Sequence, residues 1–313
     1  MTAARGPDRA ALTARAAQAS IAVALFLLAL KAWAAWRTGS VAMLGSLADT
    51  GLDLVASLIV LFAVRIAARP PDREHRYGHG KAEALAALAQ VTIISVSATA
   101  IGWRAVQRLM AGETTANVEY GIGVSLVAIA ATFGLIAYQK RVIARTGSIA
   151  IQTDRLHYQS DLLLNSAVIA ALVIDQFLGF SGADPLFGIG IACWLMFGAL
   201  RAATGAIGQL MDRAWPEARR RRLIEIAARQ PGVRGVHDVR TRSSGPIDHV
   251  QFHIWVDPAM SVAAAHDLVE AIEADLAAEF PGVDAIVHVD PEGQVDEPGN
   301  PLAETDESRN PKP

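Results

Sequence analysis

Val41-Ala42-Met43-Leu44-Gly45-Ser46-Leu47-Ala48-Asp49-Thr50-Gly51-Leu52-Asp53-Leu54 is an apolar run interrupted by two carboxylates four residues apart. Leu156-His157-Tyr158-Gln159-Ser160-Asp161-Leu162-Leu163-Leu164-Asn165 repeats the pattern with an imidazole and a carboxylate. Ionisable groups at membrane depth are costly, so where they occur they mark a pathway or a site. Four residues make about one helical turn, so each pair points from one helix face. Two such helices packed face to face offer three carboxylates and one imidazole to a single ion, a tetrahedral N/O set that zinc accepts. Ser46, Thr50, Ser160 and Asn165 lie near the same faces, where they either orient the ligands or let the helices pack closely.

Working outward, the whole chain fits a membrane protein. Of its 313 residues 52% are hydrophobic and 19% charged, with mean hydropathy +0.30. The apolar residues are segregated into six stretches that occupy the first two-thirds: Ala16–Trp36, Val41–Ala68, Lys81–Met110, Val118–Ile143, Ser148–Phe177 and Asp184–Leu210. Each reaches the roughly 20 residues that a span needs. Three basic residues precede the first stretch and Ala32-Trp33-Ala34 resembles a cleavage site, but Lys31 and five further spans favour an uncleaved helix over a signal peptide.

Basic residues set the expected orientation. Arg5, Arg9 and Arg15 precede span one; Arg65, Arg69, Arg73, Arg76 and Lys81 lie between spans two and three; Lys140, Arg141 and Arg145 lie between four and five. The other connections, Arg37–Ser40, Ala111–Asn117 and Leu178–Ala183, hold Arg37 alone. Both termini are therefore expected in the cytoplasm, with Arg104 and Arg108 snorkelling at the far end of span three. A net charge of −3 argues against a nucleic-acid partner. The single cysteine, Cys193, excludes an intrachain disulfide and is read as a packing residue.

The last third reads as soluble. A basic amphipathic helix, Glu217–Arg229, starts after Pro216 and is stopped by Pro231-Gly232. Two β-like runs, Gly235–Thr241 and His249–Val256, flank a turn at Ser243-Ser244-Gly245-Pro246. A helix over Ser261–Phe280, capped by Ser261, leads to a last strand, Ala285–Asp290. The order αββαβ predicts a small open sheet with helices on one face. The expected organisation is an N-terminal segment 1–15, a six-helix membrane domain 16–210, a soluble domain 211–291 and a disordered tail 292–313.

Two further histidine and carboxylate groups stand out. Asp72, His75 and His79 are spaced to gather round one ion if their loop begins a helix. In the soluble part His237, His253, His266, His288 and Asp290 recur over three strands and a helix, with His288 and Asp290 two apart and so on one strand face. His249, which has no carboxylate near it in sequence, is read as a surface residue.

With these motifs in view, the chain resembles the cation diffusion facilitators, and among them the bacterial zinc and ferrous-iron efflux transporters. The resemblance rests on Gly45-Ser46-Leu47-Ala48-Asp49, Tyr77-Gly78-His79-Gly80-Lys81-Ala82-Glu83, His157-Tyr158-Gln159-Ser160-Asp161 and Val236-His237-Asp238-Val239-Arg240-Thr241-Arg242, and covers span one to Pro291. It implies a six-helix homodimeric transporter of the inner membrane with a cytoplasmic domain of metallochaperone-like αββαβ fold. It also implies a transport site at Asp49, Asp53, His157 and Asp161, a loop site at Asp72, His75 and His79, and a dimer-bridging cytoplasmic site at His237, His253, His266, His288 and Asp290. Lys81 and Asp212 match a charge pair that interlocks protomers. Between His288 and Asp290 the resembled proteins carry a polar, ligand-capable residue where this chain has Val289.

The donor set disfavours magnesium, which wants octahedral oxygen, and its histidine biases the site toward zinc, cadmium, cobalt or ferrous iron over manganese. Metal needs neutral His157 and ionised Asp49, Asp53 and Asp161, so protons and metal compete for one site. The expected activity is proton-coupled efflux of a divalent transition metal, Zn2+ first and Fe2+ or Cd2+ by the same ligands. A metalloenzyme would need a motif such as His-Glu-x-x-His, which the sequence lacks. A sensor or scaffold has no need of ligands inside the membrane.

Overall fold

The computed structural model describes residues 6–38, 41–111, 122–178, 183–245 and 247–293. Outside the described residues lie the start of the N-terminal segment, residues 39–40 after span one, the connection after span three with the first four residues expected for span four, most of the connection after span five, Pro246, and the tail beyond 293. The side chains of Ser46 and Asp49 are likewise outside them, although both residues are helical.

Six long helices come first: α1 (Gly6–Thr38), α2 (Val41–Ala67), α3 (Ala82–Ala111), α4 (Ile122–Thr146), α5 (Ile149–Leu178) and α6 (Ala183–Leu210). Among the described residues, α1, α2, α3, α4 and α6 each contain a stretch long and apolar enough to cross a bilayer on composition alone. The first half of α5 carries Asp154, Arg155, His157 and Asp161, and the helix turns Asp154 and His157 inward, where neighbouring helices bury them. These polar groups of the fifth span are thus covered by protein rather than lipid. The opposite arrangement holds for Phe62, Trp103, Phe133 and Phe197, which are exposed on α2, α3, α4 and α6, as lipid contact requires. Cys193, expected to pack, lies on such an exposed face of α6.

Among the packing cores of this first unit, two bring the helices together across the bundle. Ala16 and Ala17 of α1, Val60, Leu61 and Val64 of α2, Val142 of α4, and Ala150 and Ile151 of α5 form one. Val91, Ile94 and Ala98 of α3 against Leu195 and Ala199 of α6 form the other. Small residues let α3 and α6 approach closely: a Cβ on Gly188 would lie 2.9 Å from that of Ala105, and one on Gly102 3.3 Å from that of Ala192.

Residues 70–80 and 208 onward cluster as a second compact unit. It contains α7 (Glu217–Ala228), β1 (Gly235–Ser244), β2 (Ile247–Val256), α8 (Val262–Glu279) and β3 (Val283–Pro291). The sheet order is β1-β2-β3, the first pair antiparallel and the second parallel. Both strands of the hairpin run longer than their apolar runs suggest, pairing as far as Ser244 with Ile247. Ser261 caps α8 by accepting the Ala264 N–H.

Alternation along β2 fixes the two faces. Val250, Phe252, Ile254 and Val256 are buried against Leu223, Ile226, Leu268, Ile272 and Leu276 of the helices. His249, Gln251, His253 and Trp255 take the opposite face. On β3, Val283, Ala285, Val287 and Val289 pack on the helix side, which leaves Asp284, His288 and Asp290 to the other. A β-bulge between His237 and Arg240 breaks the β1 register and puts Asp238 at a φ of 49°, in the left-handed region.

Candidate metal sites

Within the membrane unit, α2 and α5 bring Asp53 and His157 together. The two are linked by Asp53 Oδ1 and His157 Nε2 at 2.8 Å. Asp161, one turn further along α5, completes a cluster in which one donor atom from each residue lies within 4.8 Å of the others. His157 is buried, and Asp53 and Asp161 are half-buried. Asn165 donates to the Asp161 carbonyl at 2.7 Å and so holds the α5 backbone, while Ser160 bonds the His157 carbonyl and also reaches the Asp161 carboxylate at 3.4 Å. Thr50 is buried on α2 and accepts a hydrogen bond from Lys31 of α1 at 2.7 Å.

One turn before His157 lies a residue that sequence reasoning missed. Asp154 is fully buried. It accepts from Ser20 of α1 at 2.6 Å, Gln139 of α4 at 2.8 Å and Gln90 of α3 at 3.1 Å. Tyr158 adds a bond to the Ser20 carbonyl and another to Ser57 of α2. This polar layer ties five helices beside the Asp53, His157 and Asp161 cluster. Its signal was in plain view, since Asp154 and His157 are three apart and share a face.

The second unit gathers two clusters. In the loop, Asp72 Oδ1 accepts the backbone N–H groups of Glu74 and His75, at 2.9 and 2.7 Å. His75 Nδ1 sits 3.2 Å from the same oxygen and His79 Nε2 3.2 Å from the other. The two imidazole centroids are 4.5 Å apart. The His75 backbone N–H holds the Asp72 carboxyl below the usual carboxylate range. No helix is needed to make this cluster: α3 begins at Ala82, and turns bring the three side chains together. Tyr77 of the same loop packs edge-on against His249, with Arg242 over its ring.

The other cluster crosses the sheet. Pairing sets His237 opposite His253 and His253 opposite His288, one row over three strands. Asp290 is their hub. Its Oδ2 lies 2.8 Å from His253 Nδ1 and 3.4 Å from His237 Nε2, and its Oδ1 lies 3.1 Å from His288 Nε2. The bulge also brings Asp238, which sequence reasoning passed over, within 3.6 Å of His253 Nε2. His266 does not join this row within one chain. It stands on α8, 3.4 Å from Glu270, and lines a groove with Val287 and Val289 on the helix side. Val289 faces away from His288 and Asp290, so a side chain at that position cannot complete the row of its own sheet.

A further expectation is corrected. His249 is not a surface residue: it is buried and pairs with Asp284 of the parallel neighbour β3 at 3.0 Å. Lys81 opens α3, its carbonyl accepting from Ala84 and Leu85. Asp212, with a φ of 54°, lies 3.6 Å from Arg242.

Comparison with known proteins agrees with this layout. Residues 17–211 match the cation efflux transmembrane domain, and 215–292 match the cytoplasmic domain of cation efflux proteins. The cation-efflux pump FieF of Pectobacterium atrosepticum is 43% identical over 291 residues, which is 93% of this chain and 97% of that protein. FieF of Cronobacter sakazakii is 42% identical over 284 residues, covering 91% and 94%. A solved structure described as the zinc form of a candidate zinc transporter, CzrB, is 36% identical, covering 27% of this chain and 97% of its own, with a TM-score of 0.25. Two matched domains that together span nearly the whole described chain, and relatives alike from end to end, place the protein in the cation efflux family, the cation diffusion facilitators.

Proposed function

We propose that the chain exports a divalent transition metal, Zn2+ in the first place, from the cytoplasm in exchange for protons, as a homodimer in the inner membrane. Fe2+ and Cd2+ suit the same donors. The observation that carries the reading is the meeting of Asp53, His157 and Asp161 within 4.8 Å inside the helical unit. Asp49, four residues before Asp53 in the sequence, is the proposed fourth ligand, which gives three carboxylates and one imidazole. Such donors serve metal and protons by turns, because each lone pair that binds the ion must first lose its proton. A site that opens to one side and then the other couples the two flows, and a rocking of α2 and α5 about the shared ligands is the simplest way to alternate it.

The remaining clusters fit regulation. Asp72, His75 and His79 form a loop site. His237, His253, His288 and Asp290 form a cytoplasmic site that His266 of a second copy would extend. Lys81 and Asp212 are the charge pair proposed to lock the protomers. Metal at the cytoplasmic site favours whichever dimer arrangement binds it better, and shifts the equilibrium by that difference alone.

Zinc flux into proteoliposomes, with and without a pH gradient, tests the proposal. Wild type is expected to accumulate zinc against the proton gradient, and Asp53→Ala to lose this. Flux indifferent to the pH gradient rules out exchange.

A further inference from the structure

α1 carries an ammonium at membrane depth. Lys31 lies within the apolar span Asp8–Arg37, is half-buried, and donates from Nζ to Thr50 Oγ1 at 2.7 Å. Thr50 is buried on α2 between Asp49 and Asp53, three residues before the latter, so the bond delivers the charge to the helix face that carries the transport cluster. Asp53 on that face meets His157 and Asp161 of α5. A lysine near a helix end ordinarily extends toward the headgroups. This one turns inward to a hydroxyl, and an inward cation in the bilayer is retained where it answers to fixed negative charge.

We infer that Lys31 is a tethered cation of the transport site, a positioning residue that sets how tightly the metal is held. This rests on the transport-site reading above. Against the carboxylates of the site, and Asp154 buried one turn away, a divalent ion supplies two positive charges and Lys31 one more. Without the ammonium the loaded site carries one more negative charge in a low-dielectric surrounding, where it grips the ion harder and releases it more slowly. The Thr50 hydroxyl fixes where the ammonium sits. Without that hydroxyl the ammonium is drawn closer to the carboxylates and competes with the metal.

Initial rates of zinc transport in proteoliposomes, for wild type, Lys31→Met, Lys31→Arg, Thr50→Val and Asp161→Ala, test the inference. Lys31→Met is expected to lower KM about tenfold and to lower kcat with it, the signature of a more tightly held ground state. Lys31→Arg restores both, and Thr50→Val moves KM the opposite way, upward. A purely structural lysine gives no such split, so an unchanged or raised KM in Lys31→Met overturns the inference. Should Lys31→Met fail to reach the membrane, Lys31→Gln and Thr50→Val must still shift KM in opposite directions, and shifts of one sign overturn it equally. Full transport by Asp161→Ala instead defeats the transport-site reading itself, whatever the Lys31 variants do.

Discussion

Asp290→Asn isolates the charge of the cytoplasmic site with little change of shape. Asp290 touches three imidazoles, at 2.8, 3.1 and 3.4 Å, and its side chain is 19% exposed. A carboxylate centred about 3 Å from a divalent ion, at an effective dielectric of about 40 for this half-open position, contributes roughly 5 kcal/mol of attraction. The amide dipole and entering water recover about half, which leaves a loss of about 2–3 kcal/mol, or on the order of 100-fold in Kd. The assay is calorimetric titration of zinc into the full-length protein in detergent, with Asp53→Ala and His79→Ala in the background so that the other clusters do not report. An Asp290→Asn affinity within about threefold of its parent refutes the reasoning, because three imidazoles gathered on one carboxylate would then bind metal without using its charge.

Other perturbations follow from the same geometry. Asp161→Ala is expected to abolish zinc transport while leaving zinc binding at the cytoplasmic cluster unchanged, read by flux and calorimetry on one preparation. Gly80→Ala puts a Cβ 2.0 Å from the Ser244 carbonyl oxygen; the backbone must shift, and a loss of about 2–4 kcal/mol should appear as a lower Tm of the second unit. Asp154→Ala strands donors from three helices and is expected to cost about 2–3 kcal/mol in a detergent stability assay, with Asp154→Asn losing less. Because Asp72 is held below the ordinary carboxylate value of 3.8, its turn persists as pH falls toward that value and opens only below it, which hydrogen exchange at the His75 amide would follow.

Much of this could be read in the chain because helical periodicity puts chemistry on a face. Asp49 with Asp53 and His157 with Asp161 stand out as paired ligands in apolar surroundings. What the sequence hid are partners brought from other elements. Asp154 shares a face with His157 and could have been noticed, but its donors come from α1, α3 and α4, so the polar layer itself is not legible in the chain. His249 has its carboxylate on β3, 35 residues away, where parallel pairing places it. Asp238 reaches the histidine row through a bulge, which strict alternation does not foresee. Lys31 marked only an uncleaved helix until its bond to Thr50 was seen. Val289, conspicuous beside two ligands in sequence, belongs to the opposite face and to the core.

Zinc K-edge X-ray absorption on the membrane-embedded protein tests the central claim most directly, with His79→Ala and His253→Ala present so that the transport site dominates the signal. The account predicts a four-coordinate shell of one imidazole nitrogen and three carboxylate oxygens at about 2.0–2.2 Å. A shell with two or more imidazoles, with sulfur, or with six oxygens would contradict it.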